Sequence, residues 1–148
     1  MRFPFDPKFI TDRFGTLSEF RKSRGMQPHS GVDFGRPDNT PIPSVANGTI
    51  VLQQWSDVLG NVSVLRVMGA DKELRYFGFC HLAEPGLEVG TKVKEGDIIG
   101  KVGGGKKTPS GSASSGSHLH LTLSKELKGV FGPTSVKQDP IEYIKANK

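Results

Sequence analysis

The amino-acid sequence predicts a mainly β protein with many turns and only a few short helices. Glycine and proline, with 19 and 10 of the 148 residues, disfavour long helices. Hydrophobic residues make up 34% of the chain, which is low for a helical bundle and acceptable for a loop-rich sheet protein. From residue 48 onward, runs rich in β-branched and aromatic residues alternate with turn-like segments.

The predicted elements follow in a simple order. Residues 1–28 are expected to be irregular, apart from a short helix near 20–24. Strands are predicted at 48–55, 61–67, 73–82, 91–96, 97–103 and 118–123. The tail from Asp139 favours one or two closing helical turns. No repeat or linker is found, so residues 1–148 are expected to form a single domain, large enough to bury about 70% of its unfolded surface.

Composition excludes several classes of protein. A single cysteine excludes an intramolecular disulfide, and no apolar run approaches the roughly 20 residues of a membrane span. The N-terminus has Pro and Asp where a signal peptide needs an apolar run. The net charge of +5 favours an anionic partner such as a cell wall, but no basic stretch interleaved with aromatic residues indicates nucleic acid. We therefore expect neither membrane insertion nor a nucleic-acid partner.

The Gly/Ser-rich segment 103–117 is expected to be a mobile loop. It ends directly before His118, so we expect it to form a groove wall beside that histidine. A phosphate-binding loop is excluded, because Lys107 stands where Ser or Thr must hold magnesium and a strand follows instead of a helix.

The four histidines are the chemically informative residues. His118 and His120 lie two apart on a predicted strand, so their rings share one face about 6.5–7 Å apart. This spacing suits one metal ligand and one neighbouring base, without deciding which is which. His29 and Asp33 can share an ion only if the chain bends between them, which Gly31 permits.

Two imidazoles and one carboxylate with an open fourth position are typical of catalytic zinc. A serine or cysteine nucleophile is the obvious competitor, and Cys80 adjoins His81. Adjacent residues of a regular strand point to opposite faces, and we therefore interpret Cys80 as a small buried hydrophobic residue.

The sequence resembles a known family in five segments and in its ending. They are His29-Ser-Gly-Val-Asp33-Phe, Pro43-Ser-Val-Ala-Asn-Gly-Thr-Ile-Val51, Cys80-His81-Leu82, Val93-Lys-Glu-Gly-Asp-Ile-Ile-Gly100, His118-Leu-His120 and Asp139-Pro-Ile-Glu-Tyr-Ile144. In order and spacing they are similar to the lysostaphin/LytM-type zinc endopeptidases, from about residue 10 to Ile144.

That resemblance implies an antiparallel β scaffold with a substrate groove, one zinc ion, and hydrolysis of peptide bonds in bacterial peptidoglycan. Carried over by position, it implies that His29, Asp33 and His120 bind zinc and that His81 and His118 are catalytic. The family pattern is not followed everywhere. Phe79 replaces a frequent Tyr, and Leu-Thr122 follows His120 instead of Phe-Glu.

Alternatives remain open at this point. The run 89–104 is similar to the turn of biotinyl and lipoyl carrier domains, although a Met-Lys-Met-like attachment site is absent. A further possibility is a non-catalytic zinc-bearing module of the same fold that binds the cell wall or activates a partner without hydrolysis. Because no signal peptide is seen, we expect either a trimmed domain or a phage lytic enzyme, delivered with the virion or through a holin. A monomer is favoured.

Overall fold

The computed structural model describes residues 1–106, 108–111 and 116–148. Among them are two α-helices, α1 (Glu19–Ser23) and α2 (Pro140–Ala146), and 3₁₀ helices at Pro7–Phe9, Leu127–Phe131 and Thr134–Val136. The strands are β1 (Ile10–Asp12), β2 (Val32–Gly35), β3 (Pro41–Pro43), β4 (Gly48–Ser56), β5 (Gly60–Met68), β6 (Leu74–Leu82), β7 (Lys92–Val93), β8 (Ile98–Lys101) and β9 (His118–Ser124). The mainly β, antiparallel prediction is confirmed.

Seven strands form one antiparallel sheet in the order β1-β2-β9-β6-β5-β4-β7, and β3 pairs with β8 in a second, two-stranded sheet. The strands β4, β5 and β6 are long antiparallel neighbours, as expected from alternating apolar runs separated by turns. The first strands of the large sheet are instead short, and one of them pairs with the late strand β9.

The large sheet has a core face and an opposite face. Side chains of the main core come from alternate positions, as in Phe77 and Phe79 of β6 and Leu119 and Leu121 of β9, all fully buried. Ile99 of the small sheet belongs to the same cluster. The small sheet therefore covers one face of the large sheet and leaves the opposite face of β2, β6 and β9 for polar side chains.

Both helices begin at a capping side chain. Ser18 accepts a hydrogen bond from the backbone N–H of Arg21, and Asp139 accepts one from Ile141. Pro140 occupies the first turn of α2, where its missing N–H costs nothing. The predicted short helix near 20–24 and the closing helix are confirmed. No helix in the described part of the chain has the length and apolar character needed to span a membrane.

The expectation of an irregular N-terminal region was wrong at β1, which pairs with β2. The strands β2 and β3 were also not predicted. Each has only three or four residues, and a run this short carries too few alternations to stand out from a loop.

Candidate metal centre

Strand pairing brings Asp33 and His120 together. Asp33 of β2 lies directly opposite His120 of β9, and His120 Nδ1 is 2.8 Å from Asp33 Oδ1. Gly35 lies opposite His118 in the same ladder, and His118 Nε2 is 3.8 Å from Asp33 Oδ1. Because these residues alternate with core residues along their strands, they share the face of the sheet that points away from the main core.

The ring of His29, just before β2, reaches the same carboxylate. His29 Nε2 lies 3.3 Å from Asp33 Oδ2, while its Nδ1 lies 3.1 Å from the carbonyl oxygen of Arg13 and 3.3 Å from Asp12 Oδ2. An Nδ1–H that donates to the Arg13 carbonyl leaves the lone pair of the ring on Nε2, on the side of Asp33. Asp12 and Arg13 thus orient His29 from behind.

The small size of Gly31, and not a left-handed backbone, makes this approach possible. Gly31 is not among the described glycines with positive φ. A Cβ at this position would collide with the carbonyl oxygen of Leu121 and would lie 2.9 Å from His120 Cε1. His29 and Asp33 do come together, as a bend at Gly31 was expected to permit, and the structure shows that glycine here also allows close contact between the chain before β2 and strand β9.

The three side chains fit a zinc ion. One donor atom from each of His29, Asp33 and His120 can be chosen so that all lie within 4.8 Å of one another. Ligand atoms around tetrahedral zinc lie about 3.4 Å apart when the bonds are about 2.1 Å long. The 3.3 Å between His29 Nε2 and Asp33 Oδ2 is close to that spacing. Two imidazole nitrogens and one carboxylate are a donor set that zinc accepts, with a fourth position left open.

Electrostatics keep the carboxylate ionised at this position. Burial raises the pKa of Asp33, but hydrogen bonds with His120 and His29 outweigh burial and hold that pKa well below its usual range. Burial lowers the pKa of His120 in spite of Asp33. For His29, burial lowers the pKa, but the hydrogen bond to Asp33 and the charges of Asp33 and Asp12 raise it overall. A divalent cation would stabilise the ionised Asp33 in place of the N–H groups that His120 and His29 direct at it.

A β-bulge aims His81 at the same place. Between the pairs Ser63–Phe79 and Asn61–Leu82, β6 has one residue more than β5, and His81 adopts a left-handed backbone with a φ of 61°. Its ring centroid lies 4.8 Å from that of His118 and 6.1 Å from that of His120. Burial, with the charges of His118 and His120, lowers the pKa of His81 to about 4. His81 is therefore neutral at pH 7.

Backbone carbonyls hold the Nδ1 atoms of His81 and His118. His81 Nδ1 lies 2.7 Å from the carbonyl oxygen of Ser110, and His118 Nδ1 lies 2.8 Å from that of Gly116. A ring that donates from Nδ1 presents Nε2 as an acceptor. The pair therefore offers two proton acceptors beside the candidate ligands.

These side chains line one groove of about 790 Å³. Phe20 of α1 and Met26, which follows that helix, line the groove together with Val58 and Leu59 of the β4–β5 turn. Phe20 and Val58 are more than half exposed, at 58% and 52%. The groove thus combines apolar wall residues with a floor of histidines and a carboxylate, as suits an extended peptide.

Cys80 is buried, as expected, but the reason given for excluding it was wrong. Cys80 lies directly opposite His120, so it is on the same face of the sheet as the histidine cluster. Its side chain is fully buried with Val62, Val64 and Val130. Burial raises the pKa of the thiol to about 12, which leaves no thiolate at neutral pH.

The segment 103–117 contains an anchored residue that its composition did not indicate. Ser110 is buried, with 1% of its surface exposed. Asp38 accepts hydrogen bonds from Gly105 N and Ser117 Oγ, which fastens the segment at both ends. At Ser110, this segment, which its composition predicts to be a mobile loop, therefore has buried structure. The mobility predicted for 103–117 stays a prediction, and residues 107 and 112–115 of this segment lie outside the described residues.

Sequence reasoning missed Asp12 and Ser110 as partners of the histidines. Each places an oxygen atom beside the Nδ1 atom of a histidine, Asp12 through its carboxylate and Ser110 through its backbone carbonyl, and no spacing rule identifies such contacts. Asp12 lies in β1, which was itself not predicted. For Ser110, serine in a Gly/Ser-rich run carries no signal.

The chain also matches known proteins. The profile of Peptidase family M23 matches residues 27–136, a range that contains all five residues of the histidine and aspartate cluster. The peptidoglycan DD-endopeptidase ShyA of Vibrio cholerae is 29% identical over 148 residues, covering 99% of this chain and 29% of ShyA. The chain spans between 26% and 34% of the length of the first curated relatives it matches.

Solved structures agree. The catalytic domain of the antimicrobial peptidase lysostaphin from Staphylococcus simulans superimposes with a TM-score of 0.69 at 26% identity, covering 92% of this chain and 91% of that one. A mutant of the catalytic domain of the prophage-encoded M23 protein EnpA from Enterococcus faecalis has a TM-score of 0.68 at 28% identity, covering 94% of each chain. Since the family profile matches well over half of the sequence, the chain belongs to peptidase family M23.

Proposed function

We propose that this protein is a zinc-dependent endopeptidase that hydrolyses peptide bonds of bacterial peptidoglycan. The observation that carries the proposal is the convergence of His29, Asp33 and His120 within 4.8 Å, beside two further histidines at the floor of a groove. Membership of the M23 family supports peptidase chemistry. A relative named as a peptidoglycan endopeptidase supports the substrate.

In this proposal His29 Nε2, the Asp33 carboxylate and His120 Nδ1 hold the zinc ion. Bound zinc supplies a Lewis acid that polarises a carbonyl and lowers the pKa of water towards 7. Asp12 and the Arg13 carbonyl keep His29 in the tautomer that leaves Nε2 free for the ion. The groove excludes bulk water from one side of the scissile bond and orients the peptide.

His81 and His118 are proposed to move the protons. Each has its Nδ1 on a backbone carbonyl, so each presents an Nε2 lone pair. One ring accepts a proton from the attacking water or passes it to the leaving amine, and the other donates a hydrogen bond to the developing oxyanion once it is protonated. The geometry is compatible with either assignment. Neither His81 nor His118 is needed as a zinc ligand, because three other residues already supply the ligand set.

The net charge of the chain supports a cell-wall substrate. The net charge of +5 attracts the protein to an anionic envelope. The proposed site of action is accordingly the cell wall. A phage source is part of the proposal, and the similarity to a prophage-encoded M23 protein supports it. The genes that flank the coding sequence test this point, since phage structural or lysis genes are expected there.

The experiment is to measure zinc content and turnover on the same preparations of five alanine variants. We expect His29→Ala, Asp33→Ala and His120→Ala to lose most of their zinc, because each removes a ligand. We expect His81→Ala and His118→Ala to keep their zinc and to lose at least about 10²-fold in rate on purified peptidoglycan, as proton-transfer groups do. Circular dichroism confirms that each variant is folded.

Three results would contradict the proposal. The first is that protein purified without added metal holds almost no zinc and is not activated by added zinc. This result would contradict the zinc dependence. Retention of zinc without turnover on any peptidoglycan would favour the non-catalytic, wall-binding alternative. Loss of zinc in His118→Ala but not in His120→Ala would reverse the assignment of the two rings.

A further inference from the structure

The backbone of His81 is strained and needs support. A left-handed φ of 61° is uncommon for a residue with a side chain. On a regular strand His81 would follow Phe77 and Phe79 onto the core face, where an imidazole has no polar partner. Such a conformation persists only when the surroundings over-determine it. The residues that hold His81 are therefore part of how the groove obtains this ring.

Ser110 touches His81 and both strand ends around it. The Ser110 carbonyl accepts a hydrogen bond from His81 Nδ1–H at 2.7 Å. Ser110 Oγ donates to the carbonyl of Leu82 at 2.9 Å and accepts from the backbone N–H of Asn61 at 3.1 Å. Leu82 follows His81 in β6 and Asn61 is its partner in β5. One buried side chain thus joins β5 to β6 at one end of the bulge, and the same residue places a carbonyl behind the ring.

The chain around Ser110 packs too closely against the β4–β5 turn to admit additional atoms. Gly60 and Gly111 both have left-handed φ values, of 70° and 84°. A Cβ at Gly60 would collide with Ser110, and one at Gly111 would collide with the carbonyl of Val58. The segment that carries Ser110 is therefore fitted closely against the β4–β5 turn, which fixes the position of its carbonyl.

We propose that Ser110 is the positioning residue for His81: its side chain clamps the bulge, and its carbonyl fixes the ring with the proton on Nδ1 and the lone pair on Nε2. This inference rests on the proposed function for its effect on rate, but the tautomer itself does not depend on activity. Gly116 supplies the equivalent carbonyl to His118 at 2.8 Å. Ser110 and Gly116 thereby orient the two histidines that are not candidate ligands.

The test is Ser110→Ala, with Ser44→Ala as the matched control. Ser44 is also fully buried, and its Oγ donates to Ala46 O at 2.7 Å and lies 3.5 Å from Ala46 N, outside the groove lining. We expect Ser110→Ala to keep its zinc and to lose about 10–100-fold in kcat, as partners behind a ligand or a catalytic ring typically cost, with KM little changed. Ser44→Ala should keep the kcat of the wild type.

The tautomer of His81 is read from ¹⁵N shifts and two-bond ¹H–¹⁵N correlations of the imidazole. In the wild type we expect Nδ1–H alone, with and without zinc. In Ser110→Ala we expect a mixture of Nδ1–H and Nε2–H forms. Because the wild-type spectrum already tests the assigned tautomer, the proposal is exposed to refutation even if Ser110→Ala does not fold.

Each of three outcomes would overturn the inference. They are an Nε2–H tautomer of His81 in the wild type, an unchanged tautomer together with unchanged kcat in Ser110→Ala, and an equal loss of kcat in Ser44→Ala. Failure of the proposed function has a different signature. In that case the wild type lacks turnover, while the tautomer of His81 still shifts in Ser110→Ala.

Discussion

A single methyl group at Gly31 should weaken zinc binding without changing any candidate ligand. The added Cβ of Gly31→Ala would lie 2.9 Å from His120 Cε1 and 3.0 Å from His120 Nε2. Since carbon atoms pack at about 3.5–4.0 Å, the ring of His120 or the chain around Gly31 must move by at least roughly 0.6 Å, and the collision with the Leu121 carbonyl demands more. Zinc–ligand distances tolerate about 0.2 Å. The displacement therefore exceeds what a bound ion accepts.

We expect zinc affinity to fall at least about 10-fold, as for other changes that misplace a ligand. Overpacking costs about 1–3 kcal/mol, which lowers the Tm of the chelated protein by roughly 3–10 °C in a chain of this size. Competition with a chromophoric chelator measures the affinity. Gly116→Ala is the control, because no described atom outside its neighbours would lie within 4 Å of the new methyl. A folded Gly31→Ala protein with wild-type affinity would refute the close-contact reasoning.

Three further predictions follow from burial and charge. Because burial raises the pKa of the Cys80 thiol to about 12, this thiol should not react with iodoacetamide in the folded protein at pH 7.5 and should react after unfolding. Rapid labelling of the native protein would show that the thiol is exposed instead. Because the pKa of His81 is lowered to about 4 in the fold, its neutral form contributes stability that is complete above about pH 6.5 and is lost as the pH falls towards 4. Between about pH 6.5 and 4, the free energy of unfolding of chelated wild-type protein should therefore fall by more than that of His81→Gln, by at most about 3 kcal/mol. Urea unfolding measures both, and equal losses would contradict the lowered pKa. Cell-wall binding should weaken as salt rises from low concentration to about 0.5 M in sedimentation assays, because exposed charges are screened beyond about 8–10 Å at moderate salt, and salt-independent binding would show that the net charge is not the attraction.

The sequence predicts the long elements of this fold well. Strands β4, β5, β6 and β9 were each found with small boundary errors, because seven to nine residues give several alternations. The pairing of β2 with β9 could not be predicted from the pattern, since β2 has four residues and its partner lies far along the chain. Yet this pairing is what brings Asp33 to His120.

The identities of the candidate site residues come mainly from the resemblance, while their arrangement comes from the fold. The pattern of the residues indicated that His118 and His120 share a face, which the register of β9 confirms. It could not indicate that His81 leaves the regular alternation, because a bulge depends on contacts made by a distant residue, Ser110. Their roles as ligands and proton carriers stay predictions.

The joining of β2 to β9 also sets the order of events when the chain is made. Asp33 and His120 are 87 residues apart, and synthesis proceeds from the N-terminus at about 5–20 residues per second. A nascent chain that has emerged only as far as β8 presents His29 and Asp33 without their third partner. A zinc ion held as proposed would therefore find all three ligands only after β9 has taken its place between β2 and β6. If the proposed function is correct, an unfinished chain would not yet hydrolyse peptide bonds.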